Sequence, residues 1–349
     1  MKKNVNIAFM KLFRETKGDI AYSIIEFDGT LPDDAEDQIS LNPYVQDVIF
    51  IPIKGEYNHG FKNAQELLEL CHTNNLPVSA IMKKRECILG GTTEKAIYDQ
   101  MNHSLQIMRD SVTSPIQSPK KSIGGLIGGE AQLVNQHRIG GNSICGPVLS
   151  KAIAYSMAVL ETNTTMGLIV AAPTAGSSGV IPGLLLALQE EYQLEDKEII
   201  DALFNASAIG YLAMRNATVA GAVGGCQAEV GVASAMAASA TVELMGGTAD
   251  QCLHAATSVL MNFLGLVCDP IGGLVECPCQ GRNAAGVAVA LTAAELSLGG
   301  IKQLIPFDEM LQTMYQVGRQ IPPGLRETAL GGCAATPAGK KLGCKICPR

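Results

Sequence analysis

A chain of 349 residues, 47 % hydrophobic but only 5 % aromatic and without Trp, has ample apolar material for a large core, built from Ala, Leu, Ile, Val and Met. Its net charge of −7 offers no clustered basic surface for phosphate, which excludes a nucleic-acid partner. Mean hydropathy is +0.19, yet the longest apolar run, 166–188, is cut by Pro173, Pro182 and several glycines, so no membrane partner is expected.

The first residues, MKKNVNIAFMKLFRE, carry Lys11 and Arg14 and no small-residue cleavage site, unlike a secretory leader. The eleven cysteines are then those of a cytoplasmic protein, where cysteines in a pattern more often mean metal or redox chemistry than disulfides. Residues 1–58 read as a small α/β piece. Ala21–Phe27 and Val45–Ile53 have the β-branched and aromatic content of strands, Asp28-Gly29 makes a turn, and Pro32-Asp33-Asp34 opens a short helix. A strand–helix–strand of this size needs something else to pack on.

From 59 to 113 the pattern is helical. Asn63 caps AQELLELCHTNN, and Thr92 caps a longer helix with Ile97, Met101, Leu105 and Met108 on one face. The polar stretch SPIQSPKKS, 114–122, reads as a linker. Residues 123–349 are rich in Ala and Gly, with glycine pairs punctuating helices such as Val232–Leu244 and Ala284–Leu298. The fold class is mainly α: a large Gly/Ala-rich helical domain with a small N-terminal α/β appendage.

Two stretches carry chemistry. In GAVGGCQAEVG, Cys226 follows a glycine loop and precedes a helical pattern, where backbone N–H groups favour thiolate. In LVCDPIGGLVECPCQGRN, Cys268 and Cys279 lie in a rigid Pro- and Gly-rich loop that suits an iron–sulfur cluster. Zinc is the competitor, but structural zinc favours ligand pairs two to four residues apart. Here Cys277 and Cys279 are separated by one residue, and His254 lies in a helical pattern.

Over roughly residues 60–343 the chain resembles the alpha chain of the bacterial iron–sulfur L-serine dehydratases. The blocks that carry the resemblance are FKNAQELLELCHTNNLPVS, LETNTTMGLIVAAPTAGSSGVIPG, GAVGGCQAEVG, GLVCDPIGGLVECPCQGRN and LRETALGGCAATPAGKKL. The resemblance implies a [4Fe–4S] cluster held by Cys226, Cys268 and Cys279, with one iron open to act as a Lewis acid on the hydroxyl of L-serine. It leaves Cys277 as a neighbouring non-ligand. AAPTAGSSGVIPG, 171–183, is expected to run from a strand or extended stretch through a Gly/Ser loop into a helix, with Thr174, Ser177 and Ser178 as candidates for the substrate carboxylate. Arg282 and Asn283 are further candidates, for carboxylate or cluster. Lys151 or His137 is an acid/base candidate. In the basic tail, Cys344 or Cys347 is a candidate for the open iron or for a redox pair.

The family's full enzyme has a second portion, a separate beta chain or an N-terminal fusion, with a Ser-Ser-His-Thr type motif that this chain lacks. Residues 19–53 resemble the second half of the ACT domain that ends some beta chains. A beta subunit is therefore expected to supply an active-site histidine and the rest of an ACT domain. Two other readings stay open: a lyase acting on cysteine or threonine, and a non-catalytic redox-sensing subunit.

Overall fold

The computed structural model describes residues 6–14, 21–28, 35–49 and 60–346, and the chain divides into two units, 1–57 and 58–349. In the first, β1 (Asn6–Arg14) pairs antiparallel with β2 (Ala21–Asp28), and α1 (Ala35–Ser40) follows. β2 matches the strand expected at 21–27. Its partner escaped the sequence reading because Met10, Leu12 and Phe13 are apolar around Lys11, so no clean period of two is visible. The strand expected at 45–53 is corrected: residues 45–49 are irregular, and 50–53 lie outside the described residues.

The second unit is helical. Asn63 caps α2 (Ala64–Asn74) by accepting the Glu66 N–H at 2.8 Å. After α3 (Val78–Gly90), α4 (Glu94–Gln117) is capped by Thr93, one residue later than expected. α4 continues into the segment expected to be a linker, with Pro115 inside it. Pro115 has no N–H to offer the Ser111 carbonyl, and the Thr162 hydroxyl donates to that carbonyl instead at 2.7 Å. The polar composition of 114–117 therefore belongs to a helix end docked on a neighbour.

The chain continues through α5 (Glu130–Ile139), α6 (Gly146–Thr164), α7 (Val180–Tyr192), α8 (Asp196–Asn216), the short α9 (Gly221–Gly224), α10 (Val232–Leu244) and α11 (Ala249–Phe263). It ends with α12 (Cys279–Leu298), α13 (Phe307–Gln320), α14 (Gly332–Ala335) and α15 (Pro337–Ile346). Every residue from Val232 to Val242 is buried, so α10 is the central helix, surrounded by α7, α8, α11 and α12. Small residues set the helix crossings, as the composition suggests. At the α6–α7 crossing a Cβ on Gly183 would lie 2.8 Å from the Ser156 Cβ. Among the described residues no helix is long and apolar enough to cross a membrane.

Candidate active site

The starts of α10 and α12 and the loops before α7 and after α11 converge. Cys226 immediately precedes a single π turn, Gln227–Gly231, that leads into α10, and Cys279 is the first residue of α12. Cys268 lies between α11 and the turn Ile271–Gly273. Its backbone is pinned on both sides, donating to the Leu325 carbonyl at 2.9 Å and accepting from the Glu327 N–H at 2.7 Å. Gln227 fixes the loop leading to Cys268, with its Nε2 on the Met314 carbonyl and its Oε1 accepting the Gly265 N–H, both at 2.8 Å.

All three thiols are buried. Cys268 donates to Cys226, and Cys279 interacts electrostatically with both. The bond from Cys268, reinforced by the adjacent Arg282 guanidinium, holds the Cys226 thiol below its ordinary value. The donor, Cys268, is pushed up by that same bond, by burial and by Glu229. Burial and the neighbouring Cys226 likewise raise Cys279. Arg282, one turn beyond Cys279, lies beside Cys226, forms an ion pair with the Asp269 carboxylate at 2.7 Å and donates to the Val267 carbonyl at 2.9 Å. Of its two expected roles, the geometry favours support of the thiols, because its N–H groups already have these partners.

Thr174 heads the turn Ala175–Ser177 before α7; no strand precedes it. Its hydroxyl donates to Glu229 Oε1 at 3.0 Å and lies 3.0 Å from the Ser177 hydroxyl. Ser177 and Ser178 are fully buried, and Ser178 bonds back to the Ala175 carbonyl at 2.8 Å. Both hydroxyls bond within the turn that carries Thr174. Asn283, also fully buried, accepts the Gly179 N–H and donates to the carbonyls of Gly176 and Cys279, at 2.8–3.0 Å. It clamps the turn to α12 and keeps no free donor for a substrate.

Lys151 is not brought to this site. Its ammonium pairs with Glu190 at 3.0 Å and Glu191 at 2.6 Å, at the C-terminal end of α7, about 15 Å along that helix from the Thr174 turn. Burial works against its charge, but the two glutamates outweigh it and raise its pKa. Lys151→Met is therefore expected to leave kcat/KM within about twofold while costing about 1–2 kcal/mol in chemical denaturation. A larger loss of turnover at unchanged stability would return this lysine to the chemistry. His137 is exposed on α5. Cys344 is exposed on α15, which packs on the turn after Cys268; Cys347 lies outside the described residues.

Glu229, in the π turn, escaped the sequence reading. The available signal is that it is the only charged residue between Arg215 and Glu243. Its Oε2 stands 3.7 Å from Cys268 Sγ, and burial raises its carboxyl while the Thr174 bond opposes that shift.

The donor set can be tested against the expected cluster. Among the described residues no three His, Cys, Asp or Glu are arranged to hold a single metal ion. Three mutually interacting buried thiols, two at helix starts and one of those two, Cys226, beside a guanidinium, fit instead a polynuclear anionic group whose thiolates bind separate irons.

The class defined so far is a mainly helical protein with three thiols gathered where helix starts converge. The family model described as serine dehydratase alpha chain matches residues 73–334, and the chain belongs to that family. It is 43 % identical over 286 residues to a Bacillus subtilis protein named "Probable L-serine dehydratase, alpha chain", covering 82 % of this chain and 95 % of that one. To the "L-serine dehydratase, alpha chain" of Peptoniphilus asaccharolyticus it is 42 % identical over 279 residues, or 80 % and 96 % of the two chains. To "L-serine dehydratase TdcG" of Escherichia coli it is 32 % identical over 289 residues, covering 79 % of this chain but 62 % of that protein.

Proposed function

We propose that this chain is the cluster-bearing alpha chain of an L-serine dehydratase, converting L-serine to pyruvate and ammonia together with a beta chain. The observation that carries the reading is the meeting of Cys226, Cys268 and Cys279, 42 and 11 residues apart in sequence, within one buried group. These three would hold a [4Fe–4S] cluster, which when bound supplies Lewis acidity for a poor leaving group, hydroxide.

The chain's own residues do the rest of what is assigned to it. Arg282 compensates thiolate charge at Cys226, and Asp269 holds Arg282 in place. The Ala175 and Gly176 amides head their turn with no acceptor among the described residues, which suits a substrate carboxylate. Ser177 orients the Thr174 hydroxyl at the same edge. Loss of the Cα proton and the β-hydroxyl as water leaves aminoacrylate, which tautomerises and is hydrolysed to pyruvate and ammonia.

The described histidines take no part in the thiol group's bonds: His72 pairs with Asp250, His254 accepts the Gln303 N–H, and His103 and His137 are exposed. A histidine from the beta chain is part of the proposal. The "alpha chain" names of two relatives support a partner, as does the remaining length of the Escherichia coli protein beyond the match. Completion of a shared ACT-like domain by residues 1–58 and a cytoplasmic location belong to the same reading.

The test is anaerobic co-purification with the protein encoded beside it, iron and sulfide analysis, and a serine-to-pyruvate assay. The complex is expected to turn over serine while the cluster-loaded chain alone does so poorly. Cluster binding with no ammonia released from any amino acid by the complex would refute the lyase reading. A higher kcat/KM on cysteine or threonine would change the substrate.

A further inference from the structure

Glu229, half-buried at the edge of the thiol group, differs from the carboxylates held within the helical unit. Glu161 accepts the N–H groups of Gly129 and Ala131 and the Gln280 amide. Glu276 accepts those of Gly124 and Leu126 and the Ser122 hydroxyl. Glu243 holds the Ser79 N–H and the Asn205 amide, and Asp269 the Cys333 N–H and Arg282. Each accepts at least one N–H donor, as a buried charge requires, and Asp269 Oδ1, which accepts no hydrogen bond, is paired with the Arg282 guanidinium.

Glu229 has none. Its partners are the Thr174 hydroxyl on Oε1 and the Cys268 thiol near Oε2. Among the described residues it forms no ion pair; the Arg282 guanidinium favours its charge from a distance but is engaged by Asp269, Val267 and Cys226. Glu327, whose N–H bonds the Cys268 carbonyl, adds a second negative charge nearby. Space is kept open for the carboxylate: a Cβ on Gly221 would lie 2.6 Å from Oε2, and one on Gly176 3.4 Å from Oε1. The same Thr174 turn that orients Oε1 carries the unengaged Ala175 and Gly176 amides, so anion donors and a carboxylate without an ion pair share one edge.

We propose that Glu229 receives the α-ammonium group of the substrate and so selects α-amino acids over their deaminated analogues. The inference rests on the reading of this pocket as an amino-acid site beside the thiols. The ammonium donates a charge-assisted hydrogen bond to the carboxylate, which has no ion-pair partner of its own, and the turn amides take the other end of the zwitterion.

The test uses the cluster-loaded complex with its beta chain and two ligands without a leaving group, L-alanine and propionate, which differ in the ammonium. Equilibrium dialysis of the labelled ligands is expected to show the wild type preferring L-alanine, and Glu229→Gln losing about 10- to 100-fold of that preference. Iron content in this variant is expected to stay unchanged. In turnover the KM for L-serine is expected to rise by a similar factor, with Glu229→Asp recovering part of it. Where Glu229→Gln does not retain iron, Thr174→Val keeps the charge and removes its orienting donor, and a loss of preference of about threefold or more is expected.

An undiminished preference in an iron-replete Glu229→Gln, or in Thr174→Val where that variant stands in, overturns the assignment. A wild-type complex that dehydrates serine and prefers L-alanine while the variant does the same condemns only Glu229. A wild-type complex that neither binds L-alanine nor turns over serine condemns the site reading itself.

Discussion

Replacing any one of Cys226, Cys268 and Cys279 by serine is expected to lower iron and sulfide to background and serine turnover in the reconstituted complex by about 100-fold or more. The three thiols are buried and interact with one another, so each loss removes a third of a preorganised donor set and leaves a hydroxyl that binds iron poorly. Cys277→Ser is the control. It precedes Pro278, its carbonyl accepts the Ile271 N–H, and its half-buried thiol acts electrostatically on Cys279 but takes no part in the Cys226–Cys268 bond. It is expected to keep its iron. Iron lost equally from Cys277→Ser, or kept by all three other variants, would remove the basis of the proposed function.

Asn283→Ala is expected to destabilise the helical unit by about 3 kcal/mol, lowering its Tm by roughly 5–10 °C. The side chain makes three bonds within a site closed to water, and alanine strands the Gly179 N–H and the Gly176 carbonyl, while the Cys279 carbonyl keeps its helical bond. Asn283→Asp is expected to be no better. It keeps an acceptor for Gly179 but loses both donors and sets a charge against two carbonyl oxygens. Because the clamp joins the Thr174 turn to the start of α12, activity is expected to fall along with stability. Thermal unfolding of the iron-replete variants measures the effect. An unchanged Tm in both would show that the turn is held by other means.

Much of the helical unit was legible residue by residue. Val232–Leu244 is predicted and observed with the same ends, because glycines bound an uninterrupted Ala-rich run. α12 begins five residues before the expected Ala284, since Gly281 and the prolines before it read as loop. Only the bonds of Gln280 to the Glu276 carbonyl and of Arg282 to that of Pro278 reveal a helix already turning there. The linker expected at 114–122 fails for a similar reason. Local composition marks Pro115 as a breaker, but a hydroxyl from α6, 47 residues away, repairs the missing bond.

The amino-acid sequence by itself determined which residue types were on hand: three cysteines in glycine-bounded stretches, a hydroxyl-rich turn before an apolar helix, small residues for close crossings, and family membership. Those are properties of neighbours along the chain, where turn chemistry and helix periodicity act. Tertiary structure alone decided how the remaining polar groups are used. It paired Lys151 with Glu190 and Glu191, closed Asn283 into a clamp, gave Arg282 to Asp269 and Cys226, and left Glu229 without an ion pair. A polar side chain's role depends on which donors and charges meet it once water is gone, and those partners lie tens to hundreds of residues away.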